Sequence, residues 1–381
     1  MIGIPCTVMR GGTSRGLYFL EDDLPKDVAL RRKIISKAFG SPDPTGMQIN
    51  GMGGTFANMN KLAIISRREG EPNTVNYEFG QIDIYSWTID QKANCGNISS
   101  GVGAFAIEKG LIDLIEEPIT KVRVFNTNTQ KYILEHVPVK DGKVNYEGDF
   151  NIAGVNASGS KIRLDFLDPG GATTGRLLPT GNVTDIIKTD NYGEFEVSIV
   201  DAANPFVFIR AEDVGMDGTE QVSDIMAKPG ELKKMLEIRA ATAVYMGDAK
   251  NIADAYENCK ATPKFCYLAS PKPYASATEG YINEGDIDIL ARMLSMGKPG
   301  PIMALTGAIC LGVSLKIKGT IPQLLLRPEA NASNDLRIGH PSGVLPVTVD
   351  VRYENGKYQA ISGTVYRTAR MLMNGTIYVM L

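Results

Sequence analysis

Two segments of this chain can fold only as interior helices. "GVGAFAI" (101–107) and "MALTGAICLGVSL" (303–315) are small and apolar on nearly every side, with no wide polar face. A helix that is apolar all round must be surrounded by other elements, and its glycines admit close approach by neighbouring backbone. The fold therefore has to wrap a sheet around each segment. Other parts of the chain also occur twice. "GLYFLEDDLP" (16–25) is echoed by "FVFIRAEDVG" (206–215), a register that sets Ser14 on Asn204. Loop, strand, acidic turn, helix and central helix thus follow one another in both halves, the mark of a two-unit repeat. At 381 residues the chain exceeds a single ordinary core, so two domains are expected. The Gly-, Pro- and Thr-rich stretch "LDPGGATTGRLLPTGN" (167–182) reads as their boundary, giving domains over 1–183 and 184–381, with the last strand able to return to the first domain.

The local pattern supports an α+β fold. A buried strand is expected at Leu17–Leu20, and a helix over 26–40 with Val28, Leu30, Ile34 and Ile35 inward and Gly40 as its stop. "GMQINGMGGTFANMNKLAIIS" (46–66) is a glycine-rich loop that delivers Lys61 to the start of an apolar strand. Ser99 or Ser100 is expected to cap the first central helix, which runs to about Lys109.

Composition removes several function classes. Forty Lys and Arg against 43 Asp and Glu leave a net charge of −3, and no stretch concentrates the basic residues, so no nucleic-acid footprint is visible. No apolar run reaches membrane-span length, and "MIGIPCTVMRGG" lacks a charged segment followed by an apolar one. Five cysteines without a CxxC pair point to free thiols in a reducing, cytoplasmic setting. Two histidines, His136 and His340, argue against a dedicated metal site. Neither GxxxxGK[ST] nor a strand-linked GxGxxG is present, so no nucleotide or cofactor motif is found.

What remains is "QKANCGNISSGVGAF" (91–105), which presents Cys95 on a tight polar turn directly ahead of a buried helix. Backbone N–H groups at a helix start favour an anion, which suits a thiol for proton transfer. Cys6, Cys259, Cys266 and Cys310 lack such a context and read as inert core thiols. Lys61, between a glycine-rich loop and "LAIIS", is the second proton-carrying candidate. "RGGTSRG", "NGMGG" and "NCGN" together offer many unobstructed N–H groups, which make good carboxylate sites.

"MRGGTSRGLYF", "NGMGG…NKLAII", "NCGNISSGVGAFA", "GRLLPTGN" and "GHPSG" together resemble the 2-methylaconitate cis-trans isomerase (PrpF) family. That family includes 3-methylitaconate delta-isomerase and 4-oxalomesaconate tautomerase. The resemblance implies a diaminopimelate epimerase-like fold: two pseudo-symmetric domains, each a β-sheet wrapped around a central helix, with the active site in the cleft between them. It implies no cofactor, no metal, a small unsaturated tricarboxylate as substrate and a chain able to form a homo-oligomer. Carried over by position, the catalytic lysine falls on Lys61 and the cysteine on Cys95. Substrate-binding groups fall on Ser14 and Arg15, on Met52, Gly53 and Gly54, on Asn94, Gly96 and Asn97, and on Thr306 and Gly307 of "LTGA". His340 and Ser342 of "GHPSG" either hold a distal carboxylate or shape a turn around Pro341. Distant epimerases carry a second cysteine where this chain has Ala304, so two-thiol racemisation is ruled out. One thiol and one amine suit moving a proton between neighbouring carbons of an allylic system. The other readings are a keto–enol tautomerase, and a non-catalytic ligand-binding partner of an aconitase-like dehydratase.

Overall fold

The computed structural model describes residues 1–91, 94–259, 262–295 and 297–381. It divides into two compact units, Met1–Asp165 with Tyr366–Leu381, and Phe166–Val365. Among the described residues no helix is long and apolar enough to cross a membrane.

In the first unit, β1 (Ile2–Gly11) and β2 (Ser14–Leu20) form a tight antiparallel hairpin. Gly12, at φ +51°, closes it in a conformation that side chains resist. Helix α1 (Val28–Phe39) follows, its first turn capped by Asp27, whose carboxylate accepts from the Leu30 N–H (2.7 Å), and its end set by Gly40 at φ +80°. Its inner face differs from the expected one. Val28 and Leu30 are 72% and 36% exposed, whereas Ile34, Ile35, Ala38 and Phe39 are buried. The helix makes its apolar contacts only in its second half.

Strand β2 runs parallel to β3 (Lys61–Arg67), which is antiparallel to β4 (Thr74–Ile82). Strand β4 is parallel to Ile119–Asn126, and that strand is antiparallel to Lys131–Lys140. The sheet encloses α2 (Gly96–Ser99) and α3 (Val102–Glu108), of which every residue of α3 before Glu108 is buried. The N-cap is Cys95, not Ser99 or Ser100. Those two hydroxyls instead donate back to the carbonyls of Cys95 (3.1 Å) and Asn97 (2.6 Å), the alternative open to serine inside a helix.

The second unit repeats this order. Glu194–Ala202 is antiparallel to Asn204–Arg210, which is parallel to Lys264–Ala269. Lys264–Ala269 is antiparallel to Ile289–Ser295, and Ile289–Ser295 is parallel to Asp335–His340. Asp335–His340 closes antiparallel on Gly343–Glu354. The enclosed helix is Leu305–Ser314, buried at every position, with Ala304 as its N-cap. Ala304 therefore holds the place in this unit that Cys95 holds in the other, as the internal echo implied. The registers agree as well. Gly16, third in its strand, pairs with Lys61, first in β3; Phe206, third in its strand, pairs with Lys264, first in the next.

The units divide at residue 165, ahead of the expected boundary at 183. The Gly- and Thr-rich stretch is not a linker but part of the second unit. The Asp201 carboxylate accepts from the backbone N–H groups of Thr173 (2.8 Å) and Thr174 (2.7 Å) and from the Thr174 hydroxyl (2.9 Å). The final strand, Ala369–Val379, returns to the first unit and pairs with β1 from Gly11↔Ala369 to Ile2↔Val379.

Candidate active site

Lys61 and Cys95 both belong to the first unit, and a neighbour of each bonds the β1–β2 turn. Strand register places Lys61 beside Gly16 of β2. This pairing is close: a Cβ on Gly16 would lie 2.3 Å from the Lys61 carbonyl oxygen. Gly16→Ala is therefore expected to destabilise the chain by about 3 kcal/mol, the upper end for overpacking because rigid backbone is struck. Turnover should fall with it, since the backbone carrying Lys61 is displaced. Thermal unfolding of the variant, alongside its rate, checks this; unchanged values would mean that the β2–β3 spacing is loose.

The Lys61 ammonium donates to Gln81 Oε1 across the β3–β4 ladder and lies 5.5 Å from the centre of the Phe79 ring. Gln81 is itself oriented: its Nε2 donates to the carbonyls of Ala57 (3.1 Å) and Asn60 (3.0 Å). Among the described residues, this half-buried lysine thus meets a neutral acceptor and makes no ion pair with a carboxylate.

Cys95 is half-buried at the start of α2, and its own N–H donates to Asn94 Oδ1 (2.6 Å), which also accepts from the Ser99 hydroxyl (3.2 Å). The amide oxygen of Asn94 thus braces the turn. Asn97 points the other way, to the β1–β2 turn. It accepts at Oδ1 from the Thr13 N–H (3.4 Å) and from Arg367 Nε (3.2 Å), and donates from Nδ2 to Thr13 Oγ1 (3.0 Å). Asn58, three residues before Lys61, donates to the Thr13 carbonyl (3.1 Å). Thr13 is therefore the hydrogen-bonded link between the loop that precedes Lys61 and the turn that carries Cys95. No side chain could replace the glycines here, because Cβ atoms on Gly11 and Gly12 would fall 2.4 and 2.2 Å from the carbonyl and Oδ1 of Asn97. Ser14, buried, opens β2 directly after this turn.

The glycine-rich loop does not serve as expected. The N–H groups of Met52, Gly53 and Gly54 already donate, to the carbonyls of Ala38 (2.9 Å) and Phe39 (3.1 Å) and to Gln48 Oε1 (2.7 Å). Two buried amides, Gln48 and Asn60, compete for the loop's polar groups and turn them inward. The outward donor there is Arg15, whose Nη2 bonds the Met52 (3.3 Å) and Gly53 (3.1 Å) carbonyls. Gly96 begins α2 next to Cys95.

In the second unit, Thr306 is buried and its hydroxyl accepts from Asn204 Nδ2 (2.8 Å), while Gly307 lets the Phe206 ring approach, where a Cβ would sit 2.7 Å from it. His340 and Ser342 bond each other within their own turn. The Ser342 N–H donates to His340 Nδ1 (3.2 Å), and its hydroxyl donates to the Pro301 carbonyl (2.7 Å). Both are buried.

Charge around the Thr13 turn is one-sided. Arg10 bonds the Gly12 (2.9 Å) and Thr368 (3.0 Å) carbonyls, Arg15 and Lys61 bond neutral oxygens as above, and Arg367 bonds Asn97 and the Tyr366 carbonyl (2.8 Å). Among the described residues none of the four makes an ion pair with a carboxylate. Behind Cys95, burial pushes the Tyr18 and Tyr77 phenols well above their ordinary range, with Glu135 and Cys95 adding to the effect on Tyr18. Glu135 is wholly buried on the inward face of Lys131–Lys140. Burial pushes its carboxyl up to about 8, against a smaller opposing pull from the Gly103 N–H, which donates to it (2.9 Å). Cys6, Cys266 and Cys310 are buried, and burial pushes each thiol up from its ordinary value. Among the described residues no three His, Cys, Asp or Glu side chains cluster closely enough to hold a metal ion.

The sequence did not single out Gln81, Arg367 or Glu135. Only Glu135 carried a signal: alternation along "KYILEHVPVK" sets it on the same face as Ile133, Val137 and Val139.

A sheet wound round a buried helix in each unit is the diaminopimelate epimerase-like fold, and the chain is an isomerase of that class. The crystal structure of a methylitaconate-delta-isomerase matches with a TM-score of 0.83 at 40% identity, over 99% of this chain and 96% of that one. A family profile described as "PrpF protein" matches residues 1–380, and the chain belongs to that family. Relatives include a 3-methylitaconate isomerase from Eubacterium barkeri, 40% identical over 99% of this chain and 97% of the relative. A 2-methyl-aconitate isomerase from Shewanella oneidensis is 37% identical, again over 99% and 97%.

Proposed function

We propose that this isomerase shifts a proton within the allylic system of an unsaturated tricarboxylate, of the 2-methylaconitate or methylitaconate type, with Lys61 and Cys95 as its proton-transfer pair. One observation carries the reading. Asn58, three residues before Lys61, and Asn97, two residues after Cys95, both bond Thr13, and among the described residues Arg10, Arg15 and Arg367 make no ion pair with a carboxylate. An anion with several carboxylates would supply the missing negative charge.

The chemistry needs this combination. A C–H bond next to a conjugated carboxylate is weakly acidic, because the pair of electrons it leaves must spread onto oxygen. A base within hydrogen-bond reach takes the proton, and nearby cations stabilise the dienolate as charge moves onto a carboxylate. The second group returns a proton to the other end of the allylic system, or to the same carbon after bond rotation. A proton passing from the first group to the second restores both. In this reading Arg15 and Asn97 hold the substrate. Five free thiols fit a reducing cytoplasm.

Proton NMR in D2O with a panel of unsaturated tricarboxylates tests this. Deuterium should enter at both ends of one allylic system as the isomer forms. Exchange confined to a carbon beside a ketone would make the chain a tautomerase, and binding without exchange would make it a ligand-binding protein.

A further inference from the structure

Arg367 is the last residue of the strand Lys357–Arg367 and is only 4% exposed. A guanidinium in such a place ordinarily has a carboxylate beside it, since a buried charge without a partner is costly. Here its Nε faces the Asn97 amide oxygen and its Nη1 the Tyr366 carbonyl, both neutral. No ion pair reaches it among the described residues. Burial pulls its pKa down to about 10, so it remains a cation at neutral pH. The hairpin turn is cut to receive it: a Cβ on Gly12 would stand 3.1 Å from Arg367 Cδ as well as 2.2 Å from Asn97 Oδ1. The side chain is thus locked by Asn97, two residues beyond Cys95, with one face of its fork unused. A planar fork of N–H donors matches a carboxylate better than any other side chain does.

We propose that Arg367 binds one carboxylate of the substrate and thereby sets the preference for a tricarboxylate over a substrate lacking that group. The inference rests on the polycarboxylate reading above. Asn97 holds the fork in register with the Cys95 turn, so the carboxylate docked there fixes which carbon faces the proton-transfer pair.

The test separates binding from turnover. Tricarballylate, a saturated tricarboxylate that cannot isomerise, is titrated calorimetrically into the parent chain and into Arg367→Met and Arg367→Lys, with glutarate as the dicarboxylate comparison. Loss of a charge-assisted pair should weaken tricarballylate binding roughly 10- to 100-fold in Arg367→Met. Glutarate affinity should change far less, and Arg367→Lys should fall between. Equal losses for both ligands, or no loss for either, overturn the proposal. If Arg367→Met does not fold, the comparison rests on Arg367→Lys, and an unchanged ligand preference there overturns it equally. A parent chain that binds tricarballylate but isomerises nothing would sink the isomerase reading while leaving Arg367 tested. A parent chain that does not bind it sinks both.

Discussion

Lys61→Ala is expected to show no measurable turnover, and Cys95→Ser to lose about 10²–10⁴ in rate with substrate affinity close to that of the parent chain. The lysine has no substitute. Its neighbours on the loop side, Asn58 and Asn60, are amides already engaged by Thr13 and by the Gly54 and Phe56 carbonyls. Gln81, which accepts from the ammonium, is neutral and held by three carbonyls, those of Ala57, Asn60 and Ile82. The cysteine change keeps size and shape at the N-cap, and serine is a good N-cap residue, so the turn should survive. What it removes is the thiol that exchanges a proton with the substrate in the proposed reaction. Single-turnover rates and separately measured binding of both variants decide the roles. Should Lys61→Ala remain near full activity while Cys95→Ser is dead, the lysine becomes a carboxylate anchor and the thiol the principal base. Should both stay active, the isomerase chemistry does not belong to this turn.

Glu135→Gln should flatten a fall in stability that the parent chain shows between about pH 4.5 and pH 8. In the folded chain the buried carboxyl keeps its proton up to about 8, while an exposed glutamate releases it near 4.5. Between those values the folded state holds one proton more than the unfolded state. Stability therefore declines as pH rises, by up to about 1.4 kcal/mol per pH unit. The contribution is complete below pH 4.5 and lost as pH passes through 8, a total of a few kcal/mol. Glutamine mimics the protonated carboxyl, can still accept from the Gly103 N–H, and carries no proton to lose. Urea unfolding at pH 5, 6.5 and 8 should give a shallower profile for the variant and a more stable protein at pH 8. Parallel profiles would mean that Glu135 is ionised in the folded state, despite its apolar surroundings of Ile133 and Val137.

The elements that carry the site were readable because each has a local cause. A short apolar run announced β2, small apolar residues announced both central helices, and tight turns delivered Lys61 and Cys95 to element starts. The inner face of α1 was misread because period alone does not tell which half of a helix meets the core. The direction of the "GMGG" N–H groups was hidden for another reason. It depends on Gln48 and Asn60, whose burial follows from tertiary packing rather than from their own residue type. Arg367 and Asn97 lie in different parts of the chain, and nothing local to "TVYRTAR" marks one arginine as buried. The boundary was displaced because Gly and Thr, which suit a linker, equally suit a turn tied to the Asp201 carboxylate.

The pairing of Ala369–Val379 with β1 has a consequence for synthesis. Unit two is one continuous stretch, Phe166–Val365, whereas unit one needs a strand that is made only after the whole of unit two. While the chain is still growing, β1 has β2 on one side and a vacant row of N–H and C=O groups on the other, an edge open to mispairing. Its sequence tempers the hazard. Pro5 lacks an N–H, and Arg10 places a charge near the far end of the strand. Unit one thus completes its sheet only after the whole of unit two has been made.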